Sequence, residues 1–311
     1  MPIDFSPCRC HYCGSTALGE FSAQERMFGK GDTFSYQECE ECASIQINPI
    51  PVNLGDYYTG DEYYSFIPLV KSGSFSNLLK AIRLRGFLNL KIDGLAPKVY
   101  GYWLKKVFTN FDVSVADVGC GNGQLLYELN AGGFKDLIGF DPFLDKSIEV
   151  AEGLCLLKSE LSESDQKFDL IMYHHAFEHL RDPEKELQVC FDKLNSKGKA
   201  LIRIPVTDSE VWQKEREYWV QLDAPRHLTI PSVKGISGLS EKIGFKVDAV
   251  EFDSTEFQFW GTELYKRGQK LRSNGWDEFS QTEMEKWKKK ALHFNREGKG
   301  DQICLYLSKP E

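Results

Sequence analysis

The stretch Val115-Ala116-Asp117-Val118-Gly119-Cys120-Gly121-Asn122-Gly123 joins a strand-like segment to a helix-like one. Residues 113–118 are rich in valine, which predicts a buried strand. Residues 122–131 predict a helix, which Gly132 and Gly133 end. Glycines allow a tight turn and let a ligand approach the main chain, and the free N–H groups of a helix N-terminus attract an anion. The stretch therefore predicts a ligand site at a strand-to-helix turn.

The alternation of strand-like and helix-like segments continues along the chain. Apolar runs predict further strands over residues 137–140, 154–157, 168–173, 200–204, 245–250 and 302–307. Helices are predicted over residues 183–194, with Asp182 as N-cap, and over residues 232–243, ended by Gly244. Strands that alternate with helices form βαβ units. We therefore expect an α/β fold with a Rossmann-like, doubly wound, mostly parallel seven-stranded sheet.

The glycine spacing narrows the choice of ligand. A dinucleotide fingerprint needs a third glycine where this chain has Gln124 or Leu126, and a phosphate loop needs a Gly-Lys-Ser/Thr ending that is missing. What remains is Asp-x-Gly-x-Gly-x-Gly, beginning at Asp117. Asp141 ends the next predicted strand, where a carboxylate can accept hydrogen bonds from both hydroxyls of a ribose. A turn without function and an NAD enzyme stay open as alternatives.

The pattern resembles the first motif of class I S-adenosylmethionine-dependent methyltransferases. Residues 167–183 and 197–205 resemble the fourth-strand segment and the approach to the fifth strand of that family. Residues 218–228 resemble a subgroup found with genes of surface-polysaccharide and sugar modification, whose members also carry paired cysteines at the N-terminus. The matches cover about residues 96–252 and the N-terminal module.

The resemblance implies S-adenosylmethionine as cofactor, with the glycine loop along its methionine part and Asp117 orienting its ammonium. The cofactor-binding residues that it implies are Asp117, Gly119, Cys120, Gly121, Gly123, Asp141, Pro142 and His174. One departure is that residues 155–161 hold no Asp for the adenine amino group, so the adenine contact stays open.

Two cysteine pairs lie in the first part of the chain, Cys10-x2-Cys13 and Cys39-x2-Cys42. Four thiolates without an open position predict structural zinc. Cys8 and His11 are spare candidates that could substitute for Cys10, and reduced cysteines in a β-hairpin are the alternative. We predict a zinc-ribbon-like module over residues 1–51, a tyrosine-rich segment and linker helix over 52–95, and a methyltransferase domain over 96–311. The last has inserts near 208–229 and 253–300.

A histidine-rich segment follows the predicted fourth strand, where ligands of open α/β sheets bind. We predict His179, Glu178 and His175 as catalytic residues, with His179 taking a proton from the acceptor. The alternative is that Glu178 and His179 brace the loop. The spacing His175-x-x-Glu178-His179 also matches an inverted zinc-protease signature, but Asp182-Pro183 ends any long helix there.

Acceptor contacts are predicted on two segments. The candidates are Tyr57, Tyr58, Tyr63 and Tyr64, as a lid over a sugar or the cofactor, and Arg226 and His227 in the insert. Arg226 suits a phosphate or carboxylate of the acceptor. Aromatic packing between modules and a surface salt bridge are the alternatives.

Composition bounds the remaining choices. The 311 residues are 41% hydrophobic and carry a net charge of −8, which argues against broad binding of phosphate backbones, so we expect no nucleic-acid partner. We expect a small-molecule acceptor, a sugar or polysaccharide precursor, in the cytoplasm; a non-catalytic scaffold and a protein methyltransferase that docks through the zinc module are the alternatives. Nine cysteines without a disulfide pattern fit a reducing compartment, and no signal peptide or membrane span is expected. Residues 74–91 are basic and amphipathic, typical of a packing helix or a peripheral membrane contact.

Overall fold

The computed structural model describes residues 9–58, 68–271 and 277–311. Three short strands come first: β1 (Leu18–Gln24), β2 (Thr33–Cys39) and β3 (Ile45–Ile47). The central strands are β4 (Ser114–Val118), β5 (Asp136–Phe140), β6 (Ile148–Ala151), β7 (Leu154–Leu157), β8 (Phe168–His174) and β9 (Leu194–Pro205). The last three are β10 (Thr229–Ile230), β11 (Lys246–Phe252) and β12 (Gln302–Ser308).

Eight of these strands form the main sheet, in the order β11-β12-β9-β8-β4-β5-β7-β6. The middle pairs β4 with β5, β4 with β8, β5 with β7 and β8 with β9 are parallel. The outer strands β12, β11 and β6 pair antiparallel. The predicted α/β fold with a mainly parallel sheet is confirmed, and among the described residues β6 adds one edge strand to the seven predicted.

The helices flank this sheet. They are α1 (Ser74–Leu88), α2 (Gly101–Val107), α3 (Gln124–Gly132), α4 (Pro183–Lys193), α5 (Glu210–Glu215), α6 (Val233–Ile243), α7 (Phe257–Lys266) and α8 (Gln281–Glu297). The side chain of Asp182 accepts the backbone N–H of Lys185 and caps α4, as predicted. Gly244 ends α6 in the left-handed conformation. Between β5 and β8 the described chain forms no α-helix, only a 3-10 turn at Leu161–Glu163.

Side chains alternate across the central strands and build one core on each face of the sheet. On β4, Ala116 belongs to one apolar cluster and Val115 to the other, and both are fully buried. This alternation follows from the two-residue period of a strand. In the part of the chain that the structure describes, no helix combines the length and the apolar character that crossing a bilayer requires.

The N-terminal strands form a second sheet, in the order β1-β2-β3-β10. Its last strand comes from the far side of the sequence, because Thr229 and Ile230 pair with Gln46 and Ile45. Tyr12 also bonds across this junction, with its hydroxyl 3.0 Å from Oγ1 of Thr229. The N-terminal module therefore packs on the insert that precedes α6. The predicted division of the chain at residues 51 and 95 stays a prediction.

Candidate functional site

The glycine turn after β4 has the backbone conformation that only glycine adopts easily. Gly119, Gly121 and Gly123 have φ of 72°, 52° and 75°. A Cβ on Gly119 would lie 2.4 Å from Cβ of Ala176, and one on Gly123 would lie 2.7 Å from the Leu156 side chain. These contacts leave no room for larger residues, so the turn packs directly against the loop that follows β8.

Two carboxylates flank the turn. Asp117 is buried on β4, and its Oδ1 atom has no hydrogen-bond partner among the residues that the structure describes. Burial, together with the charge of Asp141, raises the pKa of the Asp117 carboxyl to about 8. Asp141 accepts the backbone N–H of Gly121 at Oδ2 and that of Phe143 at Oδ1, both at 2.9 Å. A buried carboxylate oxygen without a partner fits an ammonium group, and a fixed carboxylate at the cavity wall fits hydroxyls, so the residues fit S-adenosylmethionine.

A cavity of about 1220 Å³ opens at this end of the sheet. The predicted site residues that line it are Tyr58, Gly119, Cys120, Gly121, Asp141, Pro142, His174, His175, Glu178, His179 and His227. Asp117 and Gly123 lie just behind this wall. Residues 159–162, where no Asp was found for adenine, line the cavity beside Asp141. Tyr63 and Tyr64 lie outside the described residues.

Glu178, His179 and His227 meet on the acceptor side of the cavity. His179 Nδ1 is 2.9 Å from the carbonyl oxygen of Arg226, and His227 Nδ1 is 2.6 Å from that of Gln221. A carbonyl only accepts, so both rings carry the hydrogen on Nδ1 and leave Nε2 with a free lone pair. Glu178 is buried, and its Oε2 atom has no hydrogen-bond partner.

Burial sets the protonation of this cluster. Burial raises the pKa of the Glu178 carboxyl to about 8. Burial also lowers the pKa of His227 to about 3, and the charge that His179 carries when protonated lowers it further in the same direction. The pKa of His179 is lowered by burial as well. Both rings are therefore uncharged at neutral pH.

The two histidines at the end of β8 differ in surroundings. His174 is packed against Trp103, with ring centroids 4.8 Å apart, and its Nε2 atom has no partner among the described residues. His175 has a φ of 55° and its Nδ1 lies 3.8 Å from Oε1 of Glu178. A residue other than glycine rarely adopts a positive φ, so the surrounding loop must hold the backbone of His175 in this conformation, at the wall of the cavity.

The structure places two predicted acceptor contacts away from the cavity. Arg226 is fully buried and pairs with Asp223 at 2.6 and 2.9 Å and with Glu25 at 3.1 Å. Tyr57 is buried, and its hydroxyl donates to Asp32 at 2.7 Å. Arg226 joins the insert to the N-terminal module, and the Tyr57 side chain packs on that module beside Asp32 and Phe34, because buried charges and hydroxyls need partners.

The four predicted cysteine ligands come together. Sγ of Cys10 lies 3.5 Å from that of Cys42, and Sγ of Cys13 lies 3.5 Å from that of Cys39. Each Cys-x2-Cys segment makes the same turn. The N–H of Gly14 donates to the carbonyl of Cys10, and the N–H of Ala43 donates to the carbonyl of Cys39. All four sulfur atoms lie within 4.8 Å of one another and can hold a tetrahedral ion. Cys8 lies outside the described residues, and His11 is not in the group.

Sequence reasoning missed the partners of Arg226. Asp223 precedes Arg226 by one helical turn, a spacing that could have suggested the ion pair. Glu25 is buried on the N-terminal module and gives no local signal, since its partner lies far along the chain. Arg203 and Asp253, paired at 2.7 Å beside His174 and Tyr102, were missed for the same reason.

Comparison with known proteins gives a family and a set of relatives. A family model described as a methyltransferase domain matches residues 83–250. The tRNA U34 carboxymethyltransferase of Helicobacter pylori is 26% identical over 150 residues, 43% of this chain and 57% of that protein. Those of Campylobacter fetus and Aliarcobacter butzleri are 23% identical over 261 residues and 26% identical over 240 residues. These two matches cover 76% and 68% of this chain and 84% and 74% of the relatives.

The chain thus spans little more than half the length of the Helicobacter relative that it matches. Among solved structures, a cyclopropane synthase from Mycobacterium tuberculosis is similar with a TM-score of 0.44 and 17% identity, over 66% of this chain and 81% of that one. An S-adenosylmethionine-dependent methyltransferase from Mesorhizobium loti is similar with a TM-score of 0.44 and 13% identity, over 68% of this chain and 97% of that one.

The names of the curated relatives contradict two predictions. The predicted sugar or small-molecule acceptor is wrong, and so are its link to polysaccharide biosynthesis and the alternative of a protein acceptor. The predicted absence of a nucleic-acid partner is also wrong. The physical reason is that a net charge of −8 averages over the whole chain. Phosphates meet a local surface, and residues 68–92 hold five basic residues and no acidic one.

The predicted class of enzyme is confirmed. The family model covers more than half of the chain, and it includes the glycine turn, Asp141 and the segment with Glu178 and His179. S-adenosylmethionine is the cofactor that the family uses, and the buried Asp117 behind the turn fits it. The chain therefore belongs to the methyltransferase-domain family and is an S-adenosylmethionine-dependent methyltransferase.

Proposed function

We propose that this enzyme transfers a carbon group from an S-adenosylmethionine-type cofactor to a base of a transfer RNA. The observation that carries the proposal is the match to curated tRNA U34 carboxymethyltransferases, which spans 84% of the Campylobacter relative. The match includes the domain whose cavity holds the site residues.

The cofactor side of the cavity is formed by the glycine turn. We propose that Asp117 holds the ammonium of the cofactor and that Asp141 accepts hydrogen bonds from the ribose hydroxyls. The bound cofactor supplies an electrophilic carbon on a sulfonium. The chain contributes alignment of the cofactor, because the backbone of the turn packs against Ala176 at Gly119.

The acceptor side is formed by the loop after β8. We propose that Glu178, His179 and His175 orient the acceptor and accept any proton that it loses. His179 offers an unprotonated Nε2, since its Nδ1–H is used by the carbonyl of Arg226. Tyr58 also donates to that carbonyl, at 3.1 Å, and so holds the loop and the ring in one place.

Two features support a large acceptor such as RNA. The cavity wall at residues 141–145 and 159–162 consists of loops, because no α-helix forms between β5 and β8 in the described chain. Pro68 lines the cavity, and α1 begins a few residues later with a basic, exposed surface. Phe75 on α1 is exposed and available for stacking with a base.

We further propose that Cys10, Cys13, Cys39 and Cys42 hold a structural zinc ion. Four thiolates close the coordination sphere, so such an ion stabilises and does not react. Cys10, Cys39 and Cys42 belong to the apolar cluster that includes Ile236 of α6. The ion would therefore fix the N-terminal sheet against the wall that carries His227.

The test is transfer to a defined RNA. Purified enzyme is incubated with an unmodified tRNA transcript and, in parallel reactions, with methyl-labelled S-adenosylmethionine or with its analogue that carries a labelled carboxymethyl group on the sulfonium. The digested nucleosides are analysed by mass spectrometry. We expect label in the uridine of position 34, and none in a transcript with cytidine there or with the Asp141→Ala enzyme. The added mass identifies the group transferred. Label in no RNA fraction, from an enzyme that binds the cofactor, would contradict the proposal.

A further inference from the structure

We propose that Glu178, His179 and His227 bind a divalent metal ion of the zinc type on the acceptor side of the cavity. This Glu178–His179–His227 cluster is distinct from the four cysteines in its ligands and in its place. The inference goes beyond the proposed function, because binding of the ion does not depend on which acceptor the enzyme uses. While the ion is bound, the Nε2 lone pair of His179 is used by the metal, so this ring then holds the ion and does not itself take a proton.

The ligand atoms converge from two parts of the chain. Glu178 and His179 belong to the 3-10 turn Phe177–His179 after β8, and His227 belongs to the loop before β10. One nitrogen from each ring and a carboxylate oxygen lie within 4.8 Å of one another. Nε2 of His227 is 3.9 Å from Oε1 of Glu178. Bonds of about 2.0–2.2 Å to a tetrahedral ion place its ligand atoms ~3.4 Å apart, so a small contraction closes the site.

The hydrogen bonds behind the rings prepare both nitrogens for a metal. Each Nδ1–H is held by a backbone carbonyl, that of Arg226 for His179 and that of Gln221 for His227. Metal-binding histidines have this second hydrogen bond almost without exception, since it fixes the ring and the tautomer. A histidine that served only as a base would not require a second ring in the same arrangement beside it.

The carboxylate supplies an independent observation. Glu178 is 1% exposed, and its Oε2 atom has no hydrogen-bond partner in the described structure. The cation whose charge acts on Glu178 is Arg203, which is already paired with Asp253 at 2.7 Å. This unpartnered oxygen therefore belongs to a side chain that lies beside two ring nitrogens, and together they form a set of donor atoms that a cation can join.

The donor set indicates which kind of ion fits. Two imidazoles and one carboxylate are a zinc set that leaves a fourth position open, in contrast to the four thiolates. Because the three residues line the cavity, that position faces the acceptor. An ion there would bind and polarise an oxygen of the acceptor or of water.

The first experiment counts metal in the full chain. Protein is equilibrated with Zn²⁺, desalted and analysed by inductively coupled plasma mass spectrometry. We expect about two zinc ions per chain in the wild type, and about one in His227→Ala and in Glu178→Gln. His293→Ala is the matched control, because this exposed histidine lies near Glu297 on α8, and it should keep both ions. Circular dichroism and binding of S-adenosylhomocysteine establish that the variants are folded.

Cobalt separates the two sites by their ligands. Co²⁺ at four thiolates gives sulfur-to-metal charge-transfer bands, whereas Co²⁺ at nitrogen and oxygen ligands gives only weaker d–d bands. We expect His227→Ala to lose the d–d bands of the nitrogen and oxygen site and to keep the charge-transfer bands of the four thiolates. One ion per chain in the wild type, or two in both variants, would overturn the proposal. The count involves no RNA, so its failure and a failure of tRNA labelling are separate results.

Discussion

Asp117 shows at the residue scale how burial prepares a group for a cation. Its carboxyl lies under the glycine turn with one oxygen unpartnered, and burial, with the charge of Asp141, raises its pKa to about 8. Below that pH the carboxyl of the free protein is protonated. An ammonium that binds beside it favours the ionised form and must therefore expel the proton.

The first prediction follows from this sign. Affinity for S-adenosylhomocysteine should rise between pH 6 and pH 8, by up to about tenfold for each pH unit. Asp117→Asn should bind more weakly and lose this dependence, which isothermal titration calorimetry measures. Asp112→Asn makes the same change at an exposed position and should behave as the wild type. A wild-type affinity that does not vary over this pH range would contradict the assigned role.

Site residues were predictable where the signal is local. The positions of Asp117, the glycines and Asp141 follow from spacing around one turn, and those of Glu178 and His179 follow from their place after a strand. The roles that the resemblance implies for them stay predictions. Glu25 was not predictable, because its partner Arg226 is brought to it only by the fold. The same pairing explains why Arg226 serves packing and not the acceptor.

Elements connect the N-terminal module to the catalytic loop. Glu25 follows β1 and bonds to Arg226 directly before His227, while Tyr36 on β2 donates to the carbonyl of His227 at 3.0 Å. The sheet β1-β2-β3-β10 therefore fixes the backbone of the loop that carries Arg226 and His227. Strands of the main sheet were predicted to within a few residues, since apolar runs mark them, except that β9 begins earlier.

In the described chain, the strands β1, β2, β3, β6 and β10 were not predicted individually, and for β6 and β10 the reason is physical. β10 is two residues long and is defined by its partner β3, not by its own sequence. β6 lies at the sheet edge, where half of its side chains are exposed, so it lacks an apolar run. An edge strand and a nonlocal pair leave little periodicity to recognise.

The second prediction concerns the buried ion pair between these elements. Glu25→Ala should lower the free energy of unfolding by about 3 kcal/mol, because it removes one partner of the buried Arg226. Urea denaturation measures the change. Glu20→Ala, at an exposed position of β1, the strand that Glu25 follows, is the control and should be near neutral. Equal stability of the two variants would mean that the pair contributes nothing.

The third prediction concerns the cysteine cluster. Cys39→Ser should lower Tm on the order of 10 °C, since each kcal/mol corresponds to about 2–4 °C in a chain of this size. Emission of Trp212 should shift to the red, because this ring packs against Phe21 of the N-terminal sheet at 5.5 Å. Cys155→Ser, away from the cluster, should change neither. A wild-type Tm in the cysteine variant would exclude a structural metal.

At the scale of the whole molecule, charge distribution matters more than net charge. The chain is acidic overall, yet the segment that leads from the cavity wall along α1 is basic and exposes Phe75, Leu78, Leu79 and Ile82. The predicted absence of a nucleic-acid partner was wrong because it was based on the net charge of the whole chain and not on the charge of one surface. The sequence analysis found no motif that identifies the acceptor, so the acceptor could not be predicted from motifs.

The fourth prediction tests this surface. The double variant Arg85→Glu, Lys91→Glu should bind tRNA more weakly and should reduce the slope of log affinity against log salt by roughly 1–2. Fluorescence anisotropy at several salt concentrations measures both. Lys288→Glu, Lys289→Glu on α8 makes the same change in net charge at exposed positions and is the control. Equal losses in the two double variants would assign the effect to net charge alone.

The fourth strand of the N-terminal sheet has a consequence for synthesis of the chain. β1, β2 and β3 leave the ribosome early, but β10 is translated only after β4 to β9. Until then the edge of β3 that β10 covers is open, and open strand edges pair with other chains. The first module to be made is therefore among the last to be finished. A nascent chain stalled before residue 229 should depend on chaperones, whereas the full chain, in which β10 covers β3 and β12 covers β9, should not.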